Sequence, residues 1–126
     1  MKRFLAYMFS VAIILLCTLC STDKGKLEDI ETYINERPDS ALQVLQSIDI
    51  SSLTSNEVNH YHLLLAQAKD KCYIDETDDS IMLGVVDHYK SKSDFIKLFK
   101  AYYYIGRIQQ NAGRDTDAMY SYTEAE

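Results

Sequence analysis

Three histidines, three cysteines and one dense acidic stretch are the residues of this chain whose types could carry chemistry. His60 and His62 lie two positions apart, which on a helix turns them about 200° away from each other, so they do not share a metal ion. With His88 they are the only histidines and read as surface or half-buried side chains. Cys17, Cys20 and Cys72 have no metal-ligand spacing, and Cys72 is expected to pack as a small apolar group. Asp75, Glu76, Asp78 and Asp79 crowd into YIDETDDS, residues 73–80. A calcium loop of the EF-hand kind needs Gly at its sixth place and Glu at its twelfth. Counted from Asp75, those places hold Ser80 and Val86. The carboxylates are better read as helix-start residues that cap free N–H groups and favour the helix dipole. No P-loop, G-x-S-x-G, H-E-x-x-H or dinucleotide glycine pattern occurs. No catalytic, metal or cofactor site is therefore expected, and the chain is not read as an enzyme.

The elements that would carry these residues are helical. The chain has 126 residues, 47% hydrophobic and 25% charged, the balance of a folded domain. One Pro and four Gly leave few breaks, which favours long helices over many short strands. The net charge of −6 gives no basic footprint for nucleic acid.

Met1-Lys2-Arg3 precedes FLAYMFSVAIILLCTLC, uncharged from Phe4 to Cys20. A basic start and a run of about 16 apolar residues describe a secretory signal or a short membrane anchor. A core helix would show a polar face, and this run shows none. Residues 1–20 are thus set apart, 21–26 form a polar tether, and 27–126 form the helical domain. All 19 Asp and Glu lie after residue 20 with 11 of the 13 Lys and Arg, which leaves that part at −8. Cys20, followed by Ser21-Thr22-Asp23-Lys24, resembles a bacterial lipoprotein start, in which the Cys becomes lipid-modified and N-terminal. Leu19 stands where that pattern has a small residue, so an uncleaved anchor is the rival. The run is short for a span needing about 20 residues. In either case Lys2 and Arg3 stay on the cytoplasmic side and the remainder faces the periplasmic side.

Six helices are expected. Leu27, Ile30 and Ile34 share one helical face. Pro38 stops that helix and Asp39 can cap the next, with Ala41, Val44, Leu45 and Ile48 on its stripe. Thr54 and Glu57 have capping-box spacing, with Leu53 and Val58 as the staple. Tyr61, Leu64, Leu65, Ala68 and Cys72 follow on one face. Leu63 and Ala66 widen it, so the third helix should be buried on two sides. Ile81, Met82, Val85, Val86 and Tyr89 form the fourth face. Ser93 can cap the fifth helix, whose face is Phe95, Leu98, Phe99, Tyr102, Ile105 and Gly106, with Ile108 alongside. Gly113 supplies the turn, and Asp115 can cap the sixth helix, with Ala118, Tyr122 and Ala125 inside.

A period emerges from the small residues. Ala66 and Gly106 are 40 apart, and Ala41, Ile81 and Ala118 are separated by 40 and then 37. The last two helices resemble a tetratricopeptide repeat (TPR). That family places an aromatic, then a large aliphatic directly before Gly, in its first helix, as do Tyr102, Ile105 and Gly106. A turn Gly follows, matched by Gly113, and the second helix carries small, aromatic and small residues, as do Ala118, Tyr122 and Ala125. Asp115 and Gln109 stand where aromatics are usual. The likeness is good over 95–126 and rests on spacing over 26–92. With its membrane-directed start, the whole chain is similar to TPR-containing envelope lipoproteins and regulators of Bacteroidota. The resemblance implies an all-α fold of about three stacked antiparallel helical hairpins, a TPR-like α-solenoid after the N-terminal hydrophobic segment. It also implies a fragment of a longer repeat, because the chain stops inside the sixth helix.

The function expected is that of a non-enzymatic protein–protein interaction scaffold anchored at the bacterial cell envelope, binding a protein or peptide. The alternative is the extracytoplasmic sensory part of a longer membrane-spanning regulator. Tyr103, Arg107 and Gln110 are the candidate partner contacts. Tyr103 in particular should be exposed, since Tyr102 and Gly106 define the packed face.

Overall fold

Leu27, Ile30 and Ile34 are all buried to within 1% of full exclusion, so the first stripe is a core stripe as its spacing predicts. The computed structural model describes residues 23–126. The signal or anchor at 1–20, with Cys20, and the first part of the tether lie outside the described residues. Six α-helices follow in order: α1 (Asp23–Tyr33), α2 (Pro38–Gln46), α3 (Ser55–Lys71), α4 (Ser80–Lys92), α5 (Phe95–Asn111) and α6 (Asp115–Glu124). One 3-10 turn, Ile50–Ser52, joins α2 to α3. Among the described residues the fold is all-α, without strands. None of the described helices is long and apolar enough to cross a membrane.

Two cores are stacked along the chain. The first joins α1, α2 and α3 through Leu27, Ile30, Ala41, Leu45, Tyr61, Leu64 and Ala68. The second joins α3, α4 and α5 through Leu63, Met82, Val86, Tyr89, Ala101, Tyr104 and Ile108. Each wholly buried Leu or Ile contributes about 1.5–3 kcal/mol relative to exposure. Helix α3 is therefore buried on two sides: Leu64 serves one core and its neighbour Leu63 the other. Helix α6 packs on the far side of α5.

Local chemistry sets the boundaries. Thr54 and Glu57 form the expected capping box, Thr54 Oγ1 accepting from the Glu57 amide while the Glu57 carboxylate accepts from the Thr54 amide at 2.7 Å. Helices α3, α4 and α5 all end the same way. Each has a left-handed residue after its last turn, Tyr73 (φ 58°), Ser93 (φ 55°) and Gly113 (φ 72°). In each case the next amide reaches back to an orphan carbonyl: Ile74 to Lys69 at 2.9 Å, Asp94 to Tyr89 at 3.2 Å and Arg114 to Gln109 at 2.8 Å. Only the third of these positions carries the glycine that such a conformation favours.

Several expectations are corrected. Pro38 opens α2 at its first turn rather than only ending α1, because its missing N–H is an orphan there anyway. Arg37 holds the cap position and Asp39 sits in the first turn. Ser93 ends α4, and Asp94 is the residue that caps α5, accepting from the Lys97 amide at 3.1 Å. Arg114, not Asp115, holds the cap position of α6. Val44 points outward with Leu42 buried in its stead, and of the expected fourth face Met82, Val85, Val86 and Tyr89 are buried while Ile81 points outward. Phe95 and Phe99 are 75% and 51% exposed, so the buried face of α5 is Ala101, Tyr104, Ile105 and Ile108.

Candidate functional site

One set of polar residues that cross between helices lies on the face formed by α1, α3 and α5. Glu31 of α1 is the hub. Its Oε2 lies 3.1 Å from Nε2 of His60 on α3, and its Oε1 accepts from Lys100 Nζ of α5 at 2.9 Å. Burial works to raise the Glu31 carboxyl, but the hydrogen bond and charge of Lys100, with His60 and Lys97, outweigh it and hold the group below its ordinary value. Burial lowers His60, and Lys97 and Lys100 add to this, while Glu31 opposes it. Further along, Gln67 donates to Asn35 Oδ1 at 3.0 Å, joining α3 to the turn that follows α1.

A second polar group lies toward the other end of the same face. Arg107 donates from Nε to Asp70 Oδ1 at 2.8 Å and from Nη1 to Gln110 Oε1 at 3.1 Å. The hydrogen bond from its guanidinium to Asp70 raises Arg107 above its ordinary value. Tyr122 of α6 donates to the same Gln110 oxygen at 3.2 Å. A cleft of about 340 Å³ opens beside this group, lined by Asn35, Pro38, Asp70, Lys71, Tyr73 and Arg107. Tyr73, at 93% exposed, stands at its edge.

The three candidate contacts are thus brought together, though not equally available. Tyr103 is 40% exposed and packs edge-on to Tyr104, with Tyr122 tilted beside it at 5.9 Å between centroids. Arg107 and Gln110 are already engaged with Asp70 and with each other. The packing residues occupy close-approach positions. Ala118 and Ala125 are buried, Ile105 is buried, and Tyr102 and Ala66 pack half-buried against the second core. At Gly106 an added Cβ would fall 2.5 Å from Tyr122 Cε1, so only glycine lets α6 come this near.

The acidic connector is divided among structural tasks. Asp78 accepts from the Ser80 amide at 2.9 Å, as a helix-start carboxylate does. Glu76 pairs with Lys69. Asp79, nearly buried, accepts from Gln109 Nε2 at 2.9 Å and pairs with Arg114 at 3.0 Å, and these hydrogen bonds hold its carboxyl below the ordinary range. Among the described residues no three His, Cys, Asp or Glu side chains converge as a metal cage.

At the opposite end a cleft of about 270 Å³ lies between the middle of α1, the starts of α3 and α5 and the end of α4, with Glu28, His60, His88, Tyr89, Lys92 and Lys97 on its walls. Glu31, Asn35, His60, Gln67, Asp70 and Lys100 escape a sequence reading, because partners 29 to 69 residues apart share no local spacing. One signal is present in hindsight: His60 and Lys100, like Gln67 and Arg107, stand 40 apart on successive first helices. No protein family, curated protein or solved structure matches the chain.

Proposed function

We propose that the chain is a TPR-like helical-repeat scaffold, held at the bacterial cell envelope by its N-terminal segment, that binds a protein or peptide along the α1–α3–α5 face. The observation that carries this reading is a recurring register of buried residues. Leu27, Ile30 and Ile34 recur as Tyr61, Leu64 and Ala68 and again as Ala101, Tyr104 and Ile108, offset by 34 and then 40 residues. The second helices repeat likewise, with Ala41, Leu45 and Ile48 answered by Met82, Val86 and Tyr89. A repeated stripe of this kind is what stacked helix pairs need, since one pair alone cannot cover its own apolar face. The Glu31–Lys100 bridge, which ties α1 to α5 past the intervening α3, supports a face that is concave there.

The test is hydrogen exchange during titration with envelope proteins and peptides. A true ligand slows amides of α3 and α5 and is weakened by Tyr103→Ala and Arg107→Glu. Protection confined to α2, α4 and α6, or binding indifferent to both substitutions, rules the face out. The anchor is tested separately by intact mass after membrane extraction. Cleavage before Cys20 with added acyl chains marks a lipoprotein, full length marks an uncleaved anchor, and a mass cut without lipid contradicts both.

A further inference from the structure

The corner between α4 and α5 combines two features. Its first is apolar: Phe95, Ile96 and Phe99 are 75%, 74% and 51% exposed on the first two turns of α5. The second is charge: the segment YKSKSDFIKLFK, residues 89–100, carries four lysines and one aspartate in a chain of net charge −6. Lys90 and Lys92 are exposed, and the single Asp94 is occupied as the cap of α5 and as the partner of Lys97 at 3.5 Å.

We infer that this corner docks on a membrane surface bearing anionic phospholipid, with Phe95, Ile96 and Phe99 entering the headgroup boundary and Lys90 and Lys92 meeting the phosphates. Bulky apolar groups ringed by lysines are the pattern that binds such an interface, by buried apolar area and by attraction to anionic lipid together. The long lysine stems let their charges reach headgroups while the rings go deeper. Charge complementarity between the exposed lysines and anionic headgroups argues for this occupant, and labelling of a second chain is the outcome that would count against it.

The placement agrees. One cleft is lined by Glu28 midway along α1, by Asn56 at the start of α3, and by Lys92 and Asp94 of the corner. The Glu31–His60 and Asn35–Gln67 contacts show α1 running in the same direction as α3, so the start of α1 lies at that end. The chain therefore enters α1 from the end that carries the corner. The acidic connector, with Asp75, Glu76 and Asp78, follows α3 at the opposite end, away from an anionic surface. This orientation rests on the anchoring proposed above, whereas the docking rests on the corner's own residues.

The experiment places a photoreactive amino acid at Ile96, or at Tyr73 at the far end, in the full chain. The probes are phosphatidylcholine vesicles with and without phosphatidylglycerol. Lipid labelling from position 96 should exceed that from position 73 several-fold on the anionic vesicles, and Lys90→Glu with Lys92→Glu should bring it down toward the neutral-vesicle level. Equal labelling from the two positions on anionic vesicles that carry the chain overturns the inference, as does labelling of a second protein chain in place of lipid. Flotation on phosphatidylcholine alone reads the N-terminal anchor. Its loss there, with labelling from position 96 kept on anionic vesicles, contradicts the anchor and leaves the corner standing.

Discussion

Replacing Gly106 by Ala opposes two effects of known sign. Alanine in a helix interior is favoured over glycine by about 0.5–1 kcal/mol. Against this, the new Cβ would lie 2.5, 2.7 and 2.9 Å from three ring carbons of Tyr122, closer than carbon atoms tolerate. The ring is half-buried and can swing outward, but it then gives up its contact with Tyr103 and its hydrogen bond to Gln110. An aromatic pair is worth about 0.5–1.5 kcal/mol and a hydrogen bond a similar amount, so the loss exceeds the propensity gain. The expected net change is about 1–2 kcal/mol of destabilisation, or a fall of roughly 5–10 °C in Tm. The assay is urea unfolding followed by far-UV circular dichroism, run on Gly106→Ala alone and in a Tyr122→Ala background. Without the ring the same substitution should stabilise, which makes the coupling between the two sites about 2 kcal/mol. If Gly106→Ala raises the unfolding midpoint equally in both backgrounds, the close approach of α6 is not what glycine is there to permit.

Tyr73 and Ser93 sit in left-handed conformations that cost an ordinary residue about 1–2 kcal/mol, so Tyr73→Gly should stabilise by about 1 kcal/mol in urea unfolding, and Gly113→Ala should do the reverse. Asp79 has its carboxyl lowered by Arg114 and Gln109, so its contribution is fully present above the ordinary value of 3.8 and is lost as pH falls below it. Asp79→Asn should flatten stability against pH in that acid range while leaving the neutral-to-alkaline profile unchanged in shape. Removing the carboxylate that opposes the burial of His60, by Glu31→Gln, should lower the imidazole's midpoint further, as read by NMR titration. An unchanged midpoint would mean that the His60–Glu31 contact is absent in solution.

The helices themselves were legible because each buried stripe keeps its own period and needs no partner to be recognised. The capping box of Thr54 and Glu57, the turn glycine at Gly113 and the two-sided α3 all follow from local chemistry, and the structure keeps them. Periodicity says which side chains share a face but not whether anything covers it. Phe95 and Phe99 continue the stripe of α5 faultlessly, yet the described elements leave both of them largely uncovered. Ile81 and Met82 are apolar neighbours that a sequence places on the same face, and only the packed structure tells that Met82 turns inward and Ile81 outward. Ser93 looked like a cap because it precedes a helix, but αL geometry at the end of α4 claimed it first. The polar crossings around Glu31 were not readable, since they depend on how three helices lie side by side.

Helix α3 has a consequence for how this protein comes apart. With Leu64 in one core and Leu63 in the other, neither core can melt without stripping a side of the same helix. The two therefore unfold as one cooperative unit, and amides of α3 should exchange with solvent only through global opening. Helix α6, whose main packing is on α5 and whose start is tied to Asp79 by Arg114, enters neither of these two cores. Loss of structure should begin there and stop at the doubly held centre until the whole domain gives way.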